Sequence, residues 1–524
     1  MNLRRVLCLI ALTTAVPAFS HDEPAATPGK LGTVRFATSC DASVQPLFER
    51  GVALLHSFWF PEGLKAFNEV LARDPSCTIA YWGIGVNRLL NPFGGQTADA
   101  VALQGQEAVA KGLEKPAKTE RERDYVAAIA TFYGTDRAPF RVRAERYEQA
   151  MEKLAAKYPD DREASIFYAL ALNIAADPMD KSYARQLKAA AILEPVFREQ
   201  PEHPGAAHYL IHSYDYPPIA AKGLPAARRY AEIAPDAAHA LHMPSHIFTR
   251  VGAWEDALAT NVRSEENALR NKSAQDMLHA IDYEVYAALQ LARDPEALAA
   301  MERMNALPPN ADQRPSFYAL AAVPARYALE RADWKAAAAL EVHATDFLYT
   351  PALTHFARGY AAARLGDAAA AEREAAELGK LQQALAAKND KYWATEVEVQ
   401  RLAVLAWAEL ARGERDAALG RMRKAADLEE TSEKAPVTPG RLVPARELLG
   451  EMLLEAGRDS QALAEFEASA LREPNRFRGY YGAALAARRS GDEGKAREYF
   501  ARLSRLAAKG ERRPELEQAR MTMR

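Results

Sequence analysis

Small and large apolar residues recur at helical spacing along most of this chain, in short blocks parted by polar turns. Gly51, Gly63 and Phe67 set the pattern: two small residues, then a large apolar one, then Pro75 where the second block stops. Gly85 returns 34 residues after Gly51. Near the other end, Gly457, Ala462 and Phe466 are followed 34 residues on by Gly491, Ala496 and Phe500, with Pro474 between them. Gly359, Gly366 and Ala371 mark another unit, and Trp334 with Ala337 and Gly413 with Ala418 mark two more. Alanine is abundant and β-branched runs are scarce, and both favour helix. The pattern predicts an all-α chain of paired helices, with the small residues where the two helices of a pair touch. Units of this size bury their apolar faces by stacking, so the expected architecture is a right-handed α-solenoid around a concave groove.

The spacing is irregular at residues 92–122 and 173–186, which read as loops or lengthened helices. It breaks again at 429–445, a Pro-rich stretch (EETSEKAPVTPGRLVPA). Insertions in solenoids fall on loops at one edge, and such loops can cap the groove. Lys434 to Gly440 reads as either a lid or a plain linker. The organisation that follows is a signal segment at 1–20, a flexible leader at 21–44 and N-terminal helical repeats with an insert at 45–200. A His-rich central block occupies 201–305, further repeats 306–428, the Pro-rich insert 429–445, a final repeat pair 446–510 and a tail 511–524.

The helix-pair marks, together with the segments LLHSFWFPEGLKAF, YWGIG, HYLIHSYD, HMPSHIF and PVTPGRLVPARELL, carry a family likeness. The chain resembles tetratricopeptide repeat proteins over most of its length, in particular the large exported bacterial members, whose function is largely uncharacterised. The resemblance implies a binding scaffold rather than a catalyst. It also implies that the first helix of each repeat faces the ligand.

Composition narrows the function classes. Charged residues make up 26% and hydrophobic ones 49%, and the net charge is −3, without the basic surplus of a nucleic-acid binder. Residues 1–20 (MNLRRVLCLIALTTAVPAFS) combine Arg4 and Arg5, an apolar run and small residues before a cleavage point at Ser20/His21. That is the form of a secretory signal, and it predicts a periplasmic or secreted protein with no integral membrane segment. Of three cysteines, Cys8 leaves with the signal, and Cys40 and Cys77 form an expected disulfide.

Chemistry-bearing residues concentrate in one place. His208 and His212 recur 34 residues later as His242 and His246. Framed by Pro201, Pro235 with Gly252, and Ala297, three consecutive repeats place His208, His242 and Asp282 at position 5. His212, His246 and Tyr286 fall at position 9, His239 and His279 at position 2, and Asp215 at position 12. These positions lie a helical turn apart and share a face. Histidines at i and i+4 can reach one ion, and nitrogen-rich donor sets suit zinc or copper rather than calcium. The expected metal ligands are His208, His212, His239, His242, His246, His279 and Asp282. Tyr209 stands where a zinc protease keeps its glutamate, so that general base is absent. Pro244 leaves the geometry of His239 and His242 open: either the helix starts at Pro244, or it is kinked there.

Two function classes remain. One is an exported scaffold whose groove, lined by Tyr286, Arg250, Asp215 and His56, binds a peptide, a protein partner or a small ligand, with a transition metal as part of the site. The other is a metal-dependent hydrolase or oxidoreductase in which Asp282, Asp215 or Tyr286 handle protons.

Overall fold

Helix packing begins with glycines that admit a ring. In the computed structural model, Phe67 lies between Gly51 and Gly83, on the helices before and after its own. A Cβ on Gly83 would come within 2.5 Å of that ring, and one on Gly51 within 2.9 Å. Phe466 sits between Gly450 and Gly482 in the same way, at the same sequence spacing. The expected partner Gly85 packs on Val109 instead. Gly457 and Gly491 end their helices at φ of 71° and 86°, the left-handed conformation that turns the chain back into the next helix.

The structure describes residues 29–522 except 95–97, 135, 137, 308–313, 344 and 437. The signal segment and residues 21–28 lie outside the described residues. Every regular element among the described residues is helical, and successive helices pack on one another throughout. The chain is thus an all-α solenoid of helix pairs. No helix among the described residues is long and apolar enough to cross a membrane. Cys40 and Cys77 are joined in a disulfide.

Three segments expected as leader, tail and edge insert are built into the fold. Residues 29–44 are not a free leader. Phe36 is fully buried against Phe48, Trp82 and Tyr125, and Thr33 N–H donates to Glu202 O at 2.9 Å. The apolar side chains there found a core that their lack of period did not announce. The expected tail is likewise docked: Pro514–Thr522 is a helix with Leu516 buried, and Arg513 donates to Leu289 O. The third segment, 429–445, runs through the interior and not along an edge. Ser432, Glu433, Lys434 and Thr438 are all buried.

The solenoid also closes on itself. Trp254 Nε1 donates to Asn475 O at 2.7 Å, and Phe477 N–H to Gln290 Oε1 at 2.8 Å. Arg476 pairs with Glu330 and Glu447, each at 2.7 Å. The last repeats therefore lie against the central ones, and the inner face at residues 201–290 is enclosed.

Candidate metal centre

Three stretches of helix carry the histidines. Pro204–Tyr214 opens on His203, whose Nδ1 accepts the Ala206 N–H, with Pro204 at the first helical position where no donor is needed. Ala274–Gln290 is capped by Ser273. Between them, Ala238–His242 and Pro244–Val251 are one helix broken at Met243. Pro244 has no N–H to give, yet Met243 keeps helical angles (φ −53°, ψ −35°). The helix is kinked rather than restarted, which settles the alternative that Pro244 posed.

The kink sorts the histidines. His239 turns toward the preceding repeat, where its Nε2 lies 3.2 Å from His208 Nε2, itself 3.1 Å from His212 Nε2. His242 turns the other way, with its Nε2 3.0 Å from His246 Nε2, and His279 completes that set. In each triad one ligand atom per histidine lies within 4.8 Å of the others. Both triads obey one rule: positions 5 and 9 of one repeat, and position 2 of the next. The stacking of four imidazoles in one shared register, read from the 34-residue offset, is therefore replaced by two adjacent threes.

Hydrogen bonds on the far side of the rings fix the tautomers. His208 Nδ1 lies 2.6 Å from His56 O, and a carbonyl can only accept, so Nδ1 carries the proton. His246 Nδ1 faces the Asp215 carboxylate at 2.9 Å. His242 Nδ1 faces Asn261 Oδ1 at 2.8 Å, and the Asn261 amide is oriented because its Nδ2 donates to Ala257 O. The Nε2 atoms of these three neutral rings are therefore unprotonated lone pairs; the Tyr283 hydroxyl lies 3.4 Å from that of His246, but its proton goes to Thr438 O at 2.9 Å. Two of them, on His242 and His246, face each other across 3.0 Å. Burial pushes all six imidazoles down from their ordinary range, and the neighbouring histidines push His208, His212, His239, His242 and His279 further. A proton is thus a poor bridge between them. A tetrahedral ion with bonds of about 2.0–2.1 Å holds nitrogens ~3.3 Å apart, close to the spacings seen. Fixing the outward nitrogen on an oxygen acceptor is also how metal-binding imidazoles are oriented. These are clusters that can hold a metal.

Aromatic rings wall the first triad. Phe58 stacks on His239 at 5.2 Å, Phe93 on His212 at 3.9 Å and Tyr230 on His208 at 5.2 Å. Tyr283 lies edge-on to His242, and its hydroxyl donates to Thr438 O. The Pro-rich segment covers the rest. Lys434 Nζ lies 3.2 Å from the Asp215 oxygen that also holds His246. Burial brings the Lys434 ammonium down to about 8 against the pull of Asp215. Gly440 O accepts from Arg326, and Arg441 pairs with Glu396. The segment is a strap across the inner face, and the plain-linker reading falls.

The remaining expected site residues do not join the triads. Asp282 is buried, 3.9 Å from Arg326, and burial raises its carboxyl to about 6. It belongs to neither histidine group. It holds position 5 of the third repeat, but position 9 there is Tyr286, which pairs with Arg476 and Glu473. Asp215 pairs with Arg250 at 2.8 Å, with Lys434 and with His246 Nδ1, and so orients a triad histidine from behind. His56 sits deep, bonded to Tyr209 and Glu163, with His203 on the other Glu163 oxygen. There each ring meets an oxygen and every polar atom is satisfied without an ion. Tyr286, Arg250, Asp215 and His56 thus line no open groove. The closed inner face, packed by the strap, takes away the surface on which a peptide would lie.

Several contributing residues carried no signal of their own. Asn261 and Tyr283 look like ordinary helix positions, and Phe58, in the aromatic cluster after the first helix, reads as packing. Lys434 stands out in the sequence only as part of the Pro-rich run.

No family model matches the chain, and no curated protein matches it. Among solved structures it is similar to IFIT1, determined as a monomeric mutant with Gppp-AAAA, at 12% identity over 82% of this chain and 90% of that one. The TM-score is 0.33, so the two chain paths do not superpose and nothing carries over from that protein.

Proposed function

We propose that this is a transition-metal protein whose helical-repeat scaffold holds ions in two histidine triads, His208, His212 and His239 in one, His242, His246 and His279 in the other. The observation that carries the reading is the pair of unprotonated Nε2 atoms of His242 and His246 at 3.0 Å, with their far nitrogens already committed to Asn261 and Asp215. Two facing lone pairs in a dry interior repel, and a cation between them reverses the sign. The all-nitrogen donor set favours zinc or copper over hard cations. Export is part of the proposal, supported by the composition of residues 1–20 and by the Cys40–Cys77 disulfide.

The test is elemental analysis of untagged protein, followed by titration of the metal-stripped chain with zinc and copper. Stoichiometric metal that is lost on replacing His242 and His208 is the expected result. A chain that takes up no transition metal, and whose melting temperature ignores both metal and chelator, would overturn the proposal.

A further inference from the structure

The two triads touch. Ring centroids of His212 and His246 are 6.0 Å apart, and those of His239 and His242 6.1 Å. Within the second triad alone, His246 and His279 are 6.3 Å apart. The gap between the triads is therefore no wider than the widest gap inside one. Ions held by both would be near neighbours, as in paired-metal sites where two ions share a ligand.

Charge gives those ions a reason to share one. All six donors are neutral imidazoles. The nearest carboxylate, Asp215, already faces two cations, Arg250 and Lys434, and Asp282 faces Arg326. Two divalent ions would bring four positive charges into a buried site, and Asp282 Oδ1, which makes no hydrogen bond, does not balance them alone. The shortfall has to be met from outside. Solvent-sized space reaches the first triad: a cavity of about 10 Å³ borders His212 together with Phe93, Asp215 and Lys434, room for about one water-sized group.

We infer that the two triads form one two-metal centre whose ions share a small exogenous anion, hydroxide in water and azide as its probe. The inference rests on the metal-binding proposal above. The site recruits the balancing charge from solvent, because the carboxylates around it do not supply enough.

The experiment uses the mature full-length chain saturated with Cu(II), with metal content, electron paramagnetic resonance and azide titration followed together. The expected result is two copper ions per chain, a spin signal well under half the copper present, and a new charge-transfer band saturating at one azide per pair. In His279→Asn and His239→Asn, about one copper should remain while that band disappears. Two copper ions with nearly full spin intensity, or azide binding at each ion independently, would overturn the shared centre and leave metal binding standing. A single ion in the unaltered chain would do the same. No bound copper, with none of zinc either, would remove the underlying proposal as well.

Discussion

His242 and His246 aim their Nε2 atoms at each other across 3.0 Å, one helical turn apart and on opposite sides of the break at Met243. Each is held from behind by an oxygen acceptor, so neither ring can relieve the contact by exchanging its proton without losing a buried hydrogen bond. Metal should therefore stabilise the fold. At a free-metal concentration about a thousand times the dissociation constant, linkage contributes about 4 kcal/mol. Removing the metal with a chelator should lower the melting temperature, and His246→Ala should abolish most of that response in its own triad. An identical melting curve for stripped and loaded protein would contradict it.

The His56–Glu163–His203 cluster should behave in the opposite way. Glu163 accepts from both rings, at 3.0 and 2.8 Å, with all three residues buried. Glu163→Gln should cost about 3 kcal/mol, as expected for breaking a buried pair, while metal content stays unchanged. Loss of metal in this variant would mean that the third cluster is also a binding site.

The strap depends on Lys434 and Asp215. Lys434→Met leaves the Asp215 carboxylate with Arg250 but without its second cation, and should cost about 3 kcal/mol in stability. Limited proteolysis would report it: cleavage within 431–440 should appear in the variant and be absent from the parent chain. Equal resistance in both would show that the strap is held by other contacts.

Acid should release the same strap. Burial pushes the Glu433 carboxyl up, but Arg250, Arg472 and Lys181 outweigh this and hold it down at about 2, against an ordinary 4.5. The folded chain therefore binds this proton more weakly than the unfolded chain does. Its stabilisation is complete above pH 4.5 and is lost as the pH falls toward 2, a contribution of about 3 kcal/mol. In metal-free protein, Glu433→Gln should flatten the stability curve across that window and leave its slope above pH 5 unchanged. An unchanged slope below pH 4.5 would refute the assignment.

Gly83 and Gly420 should respond oppositely to alanine. The Gly83 Cβ would meet the Phe67 ring at 2.5 Å, whereas nothing lies within 4 Å of one on Gly420. Gly83→Ala should cost about 1–3 kcal/mol through overpacking. Gly420→Ala, exposed within Arg415–Glu429, should stabilise by about 0.5–1 kcal/mol by removing backbone freedom. Denaturant melts of the two variants check both signs.

Much of this molecule is legible in the one-dimensional pattern. Helical periodicity and small residues at helix contacts are local, so Gly51 with Phe67, Gly457 with Gly491, and the central histidine spacing pointed to stacked helix pairs with a donor-rich face. The six histidines were found by register alone, because position in a repeat maps directly onto position on a surface. The break at Pro244 was visible too, but not its direction, since a proline specifies a lost hydrogen bond and not the neighbour toward which each half turns.

What the chain alone determined is the set of six histidines and the repeat that carries them; Asp282, expected among them, stands apart. Tertiary structure decided how they divide: His239 joins the preceding repeat and His242 the following one, giving two threes where a shared register suggested one group. It also decided that the inner face is closed, because Lys434 and Thr438 reach Asp215 and Tyr283 from segments more than 150 residues away in sequence. Local pattern carries no information about contacts at that range. They arise only when the solenoid curves back on itself, and the buried charge of Asp215, Arg250 and Lys434 is satisfied only in that closed arrangement.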